Sequence, residues 1–209
     1  MFTDILWDFD GTLFDTYPGI VDTMLRALAD EGVREDYGEV MTRMRVSVSG
    51  ALAHYRKRHR LGDSFLTRYD KYNRDVDRWD ARLFAHAVEV LKAIHVSGKR
   101  NYLYTHRGHS ALDYLRDRGL TEYFTDCITR EEGFPPKPSP DAIRHLIDTH
   151  GIKKENAIMV GDREIDILAA KHAGIYGCFF SPDESITCES ADYTVRSLLE
   201  LAPITGIEL

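Results

Sequence analysis

The sequence predicts an α/β protein: a doubly wound parallel sheet that carries a small inserted α-helical domain. Three observations lead there. From residue 84 onward, short apolar runs alternate with helical periods, the pattern of a parallel sheet with helices on both faces. Residues 15–83 show helical periodicity without a convincing strand, and they interrupt the alternation directly after the first apolar run. A chain of 209 residues can bury a full core and still hold a smaller domain. The expected domains are 1–14 with 84–209, and 15–83.

Each element has its own signal. The first strand is expected in "FTDILWD", residues 2–8. "IVDTMLRALADEG" sets Ile20, Met24, Leu25, Leu28 and Ala29 on one helical stripe that stops at Gly32. Further helices are expected over 39–48, 49–60 and 63–76. Past the insert, "AHAVEVLKAIHVSGK" reads as a helix closed at Gly98 and "RNYLYTH" as a strand. "SALDYLRDRG" reads as a helix with Gly119 just past its end, and "DCITR" as a short strand. "SPDAIRHLIDTHG" reads as a helix capped by Ser139, with Pro140 in its first turn. "NAIMVGD", "REIDILAAKHAG" and "IYGCFFS" continue as strand, helix and strand.

Composition narrows the function. Hydrophobic content of 43% and charged content of 29% are those of an ordinary globular protein. A net charge of −7 argues against nucleic acid or an anionic membrane as the main partner. The basic run "HYRKRHR" reads as a solvated helix face. Cys127, Cys178 and Cys188 show no metal-type spacing and read as thiols of a reducing compartment. The first residues lack a basic-then-apolar leader pattern, and no apolar run approaches ~18 residues, so a cytoplasmic location is expected.

In open parallel sheets, ligands bind beyond the carboxyl ends of the strands. This sequence delivers Asp8, Asp10, Thr105, His106, Lys137, Asp162 and Asp166 to that edge. Four carboxylates and one lysine leave a formal charge of −3. Like charges ~4 Å apart repel by ~4 kcal/mol even at an effective dielectric of ~20. An all-oxygen donor set of this kind suits Mg²⁺, which takes one or two carboxylates, several waters and a substrate phosphate. Lys137 and the backbone N–H groups after Asp10, at Gly11 and Thr12, are then expected to hold phosphate oxygens. A carboxylate beside Mg²⁺ and a lysine stays ionised and serves as a nucleophile. Its neighbour two residues on is placed to protonate a leaving group. His106 and His109 at spacing three lack completing ligands nearby, so zinc is not expected.

The chain resembles the haloacid dehalogenase-like phosphatase superfamily. "DFDGTLFDT", "YLYTH", "KPSPD" and "GDREID" match its four motifs in order, over residues 1–14 and about 84–180. The resemblance implies a fold with a Rossmann-type core and Asp8 as a nucleophile that becomes an aspartyl phosphate. It implies Asp10 as acid, then base, with its main-chain carbonyl on Mg²⁺. Asp8 and Asp162 complete the implied metal ligands, and Asp166 is implied to orient a metal-bound water or Lys137. Thr105 would hydrogen-bond the phosphoryl group, Lys137 would clamp it to Asp8, and the helical insert would be a cap that excludes water. Halide leaves without a proton, so an acid at Asp10 favours phosphate ester hydrolysis over dehalogenation.

The phosphoglycolate phosphatase-like and β-phosphoglucomutase-like branch is the most similar. The pair His106–Arg107 departs from it at a place that borders the pocket. In the insert, Arg43 and Arg45 are candidate contacts to an anionic substrate tail; each also reads as part of a solvated helix face. The expected function is Mg²⁺-dependent hydrolysis of a small phosphorylated metabolite, phosphoglycolate-like. The alternatives are a phosphosugar mutase and a non-catalytic binding protein on the same fold. No nucleic acid or membrane partner is expected, and the chain is expected as a monomer or homodimer.

Overall fold

A central parallel strand is covered on both faces, so it reads as a continuous apolar run rather than an alternating one. "AIMVG" is such a run, and all five of its residues are buried. The computed structural model describes residues 1–75 and 81–209. The first half of the chain holds β1 (Asp4–Trp7), β2 (Phe14–Asp15), α1 (Tyr17–Ala29), α2 (Tyr37–Val46), α3 (Val48–Arg58), α4 (Asp63–Asp75), β3 (Arg82–Leu83) and α5 (Ala87–Val96). The second half holds β4 (Arg100–Tyr104), α6 (Ser110–Asp117), β5 (Phe124–Ile128), α7 (Asp141–His150), β6 (Ala157–Gly161), α8 (Glu164–Ala173), β7 (Tyr176–Phe180), β8 (Tyr193–Val195) and α9 (Leu201–Thr205). No described helix is long and apolar enough to cross a membrane.

The chain divides into two compact units, residues 1–14 with 83–209, and residues 15–82. In the first, a six-stranded parallel sheet runs in the order β5-β4-β1-β6-β7-β8. Trp7 stands opposite Leu103 of β4 and Val160 of β6, so the residues after these three strands emerge at one level. Because β4 and β6 flank β1 on opposite sides, this level is the topological switch point of the sheet. One face buries Leu6, Tyr102 and Met159 against Ala142, Ile143 and Leu146 of α7 and Ala169, Ala170 and Ala173 of α8. Trp7 is fully buried, and its indole N–H donates to Asn101 Oδ1 at 2.9 Å. A buried indole needs such a partner to offset the loss of water.

The second unit has its own core, in which Ile20, Met24 and Leu28 of α1 pack with Val40 and Met44 of α2, Tyr55 of α3 and Phe65 of α4. Asp36 caps α2 by accepting from Glu39 N–H at 2.9 Å, and Ser47 caps α3 by accepting from Gly50 N–H at 3.1 Å. These caps place both helix starts slightly earlier than apolar periodicity alone suggests. The helix expected to reach residue 76 extends one position into 76–80, which lie outside the described residues.

Two details differ from the sequence reading of the first unit. Ser139 stands one residue before the cap position of α7, which Pro140 occupies; its N–H is held in a turn by Pro136 O at 3.0 Å, and its hydroxyl accepts from the first helical N–H, that of Asp141, at 3.4 Å. Beyond residue 181, the structure adds β8 and α9, three and five residues long, too short for periodicity to reveal.

Candidate active site

The site begins one residue past β1. Asp8 N–H continues the ladder by donating to Val160 O at 2.9 Å, which turns the side chain into the level where β4 and β6 also end. The chain then reverses sharply. Gly11 has φ +81°, a conformation that glycine reaches without Cβ strain. Inside this turn, Gly11 N–H donates to Phe14 O at 2.8 Å and Thr12 N–H to Phe9 O at 3.4 Å. The two amides expected to hold phosphate thus meet the turn's own carbonyls in this structure. The Thr12 hydroxyl is buried and approaches Asp162 Oδ1 at 3.5 Å instead.

Lys137 is fully buried, and its ammonium donates to Asp8 Oδ1 (2.7 Å) and Tyr104 O (2.8 Å) and forms an ion pair with Asp166 Oδ1 at 2.7 Å. The Tyr104 ring lies 4.6 Å from Nζ. Burial alone would lower the Lys137 pKa, but the charges of Asp166 and Asp8 outweigh it and raise the value, so this lysine stays protonated. Burial and the charge of Asp166 push Asp8 up to about 6, against the pull of Lys137 and Arg163. Asp166 is fixed on its other oxygen, where Oδ2 accepts from Arg163 N–H at 3.0 Å across the start of α8. The geometry thus ties Asp166 to Lys137, one of the two roles the resemblance implied.

Asp8 Oδ2 is buried without a hydrogen-bond partner among the described residues, and Arg163 Nη2 stands 3.8 Å away. Carboxylate oxygens of Asp8, Asp162 and Asp166 all lie within 4.8 Å of one another. An orphaned buried oxygen in an all-oxygen cluster is what a hard divalent cation satisfies, so these residues fit Mg²⁺. Arg107 and Arg163, unassigned in the sequence reading, raise the formal charge from −3 to −1 before any cation is counted. The carboxylate of Asp10 points elsewhere, onto Arg107, with Nη2 to Oδ1 at 2.6 Å.

Thr105 is buried, and its Oγ1 accepts from Arg107 N–H at 3.0 Å, which leaves its own O–H to donate. His106 Nε2 accepts from Lys137 N–H at 2.7 Å, so the ring anchors the Lys137 loop. That bond requires the neutral Nδ1–H tautomer. Burial first, then the charges of Lys137 and Arg163, push the His106 pKa down to about 4.

Arg43 and Arg45 stand in the second unit. Arg43 pairs with Glu39 one turn earlier at 3.2 Å, the partially exposed i,i+4 arrangement of a solvated face. Arg45 lies 5.6 Å from the Tyr17 ring centroid. The sequence marks Arg107 as bordering the pocket without giving it a partner, and it gives Arg163 no role. Their adjacency to Thr105 and Asp162 was the available signal.

The chain is 29% identical over 222 residues to a phosphoglycolate phosphatase of Vibrio vulnificus, covering 96% of this chain and 94% of the relative. It is 25% identical over 209 residues to the pyrophosphatase PpaX of Halalkalibacterium halodurans, covering 98% and 97%. A crystal structure described as a predicted phosphoglycolate phosphatase from Haemophilus somnus superposes with a TM-score of 0.85 at 22% identity, covering 98% of each chain. The family model of haloacid dehalogenase-like hydrolases matches residues 5–179, from β1 through β7, and the chain belongs to that family.

Proposed function

We propose that the chain is a Mg²⁺-dependent phosphatase that hydrolyses a small phosphorylated metabolite, of the phosphoglycolate kind, through an aspartyl phosphate on Asp8. One observation carries the reading: Asp8 is buried with one oxygen fixed by Lys137 at 2.7 Å and the other without a hydrogen bond. A carboxylate so held is oriented and poor in competing partners, as in-line attack on phosphorus requires. The relatives named phosphoglycolate phosphatase and pyrophosphatase support the substrate class.

Asp8, Asp162 and the main-chain carbonyl of Asp10 would hold Mg²⁺, which supplies charge stabilisation to the phosphoryl oxygens. Asp8 forms a bond to phosphorus as the bond from phosphorus to the leaving oxygen breaks. Asp10 gives its proton to that oxygen. Lys137 and the Thr105 hydroxyl offset the negative charge on the transferring group. Water then attacks the aspartyl phosphate, Asp10 takes up the proton, and Asp8 is regenerated with release of phosphate.

The test is phosphate release from a panel of phosphorylated metabolites with Mg²⁺ present. Asp8→Asn is expected to lose at least about 10³-fold in kcat, as removal of a nucleophile does elsewhere. Retention of activity in Asp8→Asn, or no turnover of any ester by the wild type, defeats the reading. Isomerisation of a sugar phosphate with little free phosphate would turn it towards a mutase.

A further inference from the structure

We propose that Arg107 is a positioning residue for Asp10, fixing the orientation in which its carboxyl group meets the leaving-group oxygen. The kinetic consequence rests on the phosphatase reading above; the placement rests on geometry alone. Arg107 Nε donates to Asp10 Oδ1 at 3.0 Å and to Oδ2 at 3.2 Å, and Nη2 donates to Oδ1 at 2.6 Å. A planar guanidinium that contacts both oxygens of a carboxyl group sets its plane as well as its position, which an ammonium does not. Oδ1 takes the two closer bonds, so Oδ2 is the oxygen left to carry the proton.

Arg107 is itself held on several sides. Its N–H donates to Thr105 Oγ1 at 3.0 Å, and its carbonyl accepts from Arg130 N–H at 3.1 Å. Its guanidinium carbon lies 5.5 Å from the ring centroids of both Phe9 and Tyr114. Those two rings pack edge-to-face at 5.5 Å, and Phe9 is fully buried between Asp8 and Asp10 in sequence. The platform that carries the guanidinium is thus continuous with the backbone of the nucleophile.

Two other roles suit the geometry less well. Lys137 already occupies the position of a cation on Asp8. A surface ion pair is usually solvated and adds little, as Arg43–Glu39 illustrates with side chains 40% and 38% exposed. The side chains of Arg107 and Asp10 are only 16% and 20% exposed.

A proton from Asp10 matters for an alkoxide leaving group and hardly at all for p-nitrophenolate. The ratio kcat/KM covers only the steps up to phosphoryl transfer, so the later base role of Asp10 does not enter it. Arg107→Met is therefore expected to lower kcat/KM for an alkyl phosphate by about 10-fold or more, a fraction of the usual acid–base contribution. For p-nitrophenyl phosphate the loss should stay within about 3-fold. Arg107→Lys, which keeps the charge without the fork, should fall between wild type and Arg107→Met on the alkyl ester. Added to Asp10→Asn, Arg107→Met should cost nothing further, since the two act as one unit. A crystal structure of Arg107→Met should show the Asp10 carboxyl displaced or in two orientations.

Equal losses on both esters, additive losses in the double variant, or an unmoved Asp10 in that crystal would each overturn the proposal. If the wild type turns over neither ester, the phosphatase reading falls, and the position of Asp10 in the variant crystal still decides whether Arg107 places it.

Discussion

His106 shows how one side chain joins the site to the stability of the chain. Its Nε2 accepts the Lys137 amide at 2.7 Å, and protonation would destroy that acceptor. The folded pKa is pushed down to about 4, whereas an unfolded chain holds histidine near ~6.5. Between those values the unfolded state binds a proton that the folded state refuses, so stability falls as pH drops through about 6.5 towards 4. At pH 7 the folded state holds no proton there and the unfolded state only about a quarter of one, so the effect is small. His106→Gln can still accept the amide through Oε1 but cannot titrate, so its urea midpoint should decline less than that of wild type between pH 7 and pH 4.5. Parallel declines in the two proteins would refute this. At the same scale, Asp8, Asp10, Lys137 and Asp162 were legible from motif spacing, because each sits at a fixed offset from a strand end or turn. Which carboxylates Arg107 and Arg163 meet was not, since arginines crowd this sequence ("HYRKRHR") and only folding selects the two that reach Asp10 and Asp8.

Elements hold the site through close approaches that a pattern of apolar residues does not encode. β6 ends at Gly161, where an added Cβ would stand 2.3 Å from Asp166 Cβ and 2.6 Å from its Oδ2. Asp166 has nowhere to retreat, being fully buried, bonded to Arg163 N–H and paired with Lys137. Gly161→Ala is therefore expected to destabilise the fold by about 1–3 kcal/mol, as overpacking does, and to move Asp166 off Lys137. Chemical denaturation and the activity of the same sample check both halves: a wild-type midpoint with full activity would show that α8 shifts without cost. The helix and strand alternation from α5 to β7 was readable because each element is long enough to display its period. β8 was not, since only Val195 of its three residues is buried, and no period can be seen in one apolar position.

At the scale of the whole molecule, the chain carries a net charge of −7, and the carboxylates of Asp8, Asp162 and Asp166 converge on one sheet edge. Lys137, Arg107 and Arg163 compensate most of that local charge, which is why the site folds as a set of ion pairs. They leave Asp8 Oδ2 without a hydrogen bond, and a buried oxygen that lacks one is a standing cost that only the native state bears. A cation binding there therefore stabilises the fold over the unfolded chain, in which Asp8, Asp162 and Asp166 are dispersed. At about 100 times its dissociation constant, Mg²⁺ would add about 2.7 kcal/mol. For a chain of this size, that is a rise in melting temperature of about 5–10 °C. Sodium chloride at equal ionic strength separates this gain from general screening of the net charge. Asp162→Asn removes one candidate ligand while leaving Asp8 and Lys137 paired, so most of the rise should disappear in that variant. A melting temperature indifferent to Mg²⁺ and chelator in the wild type would remove the cation from the mechanism, and with it the explanation for the Asp8 oxygen that lacks a hydrogen bond.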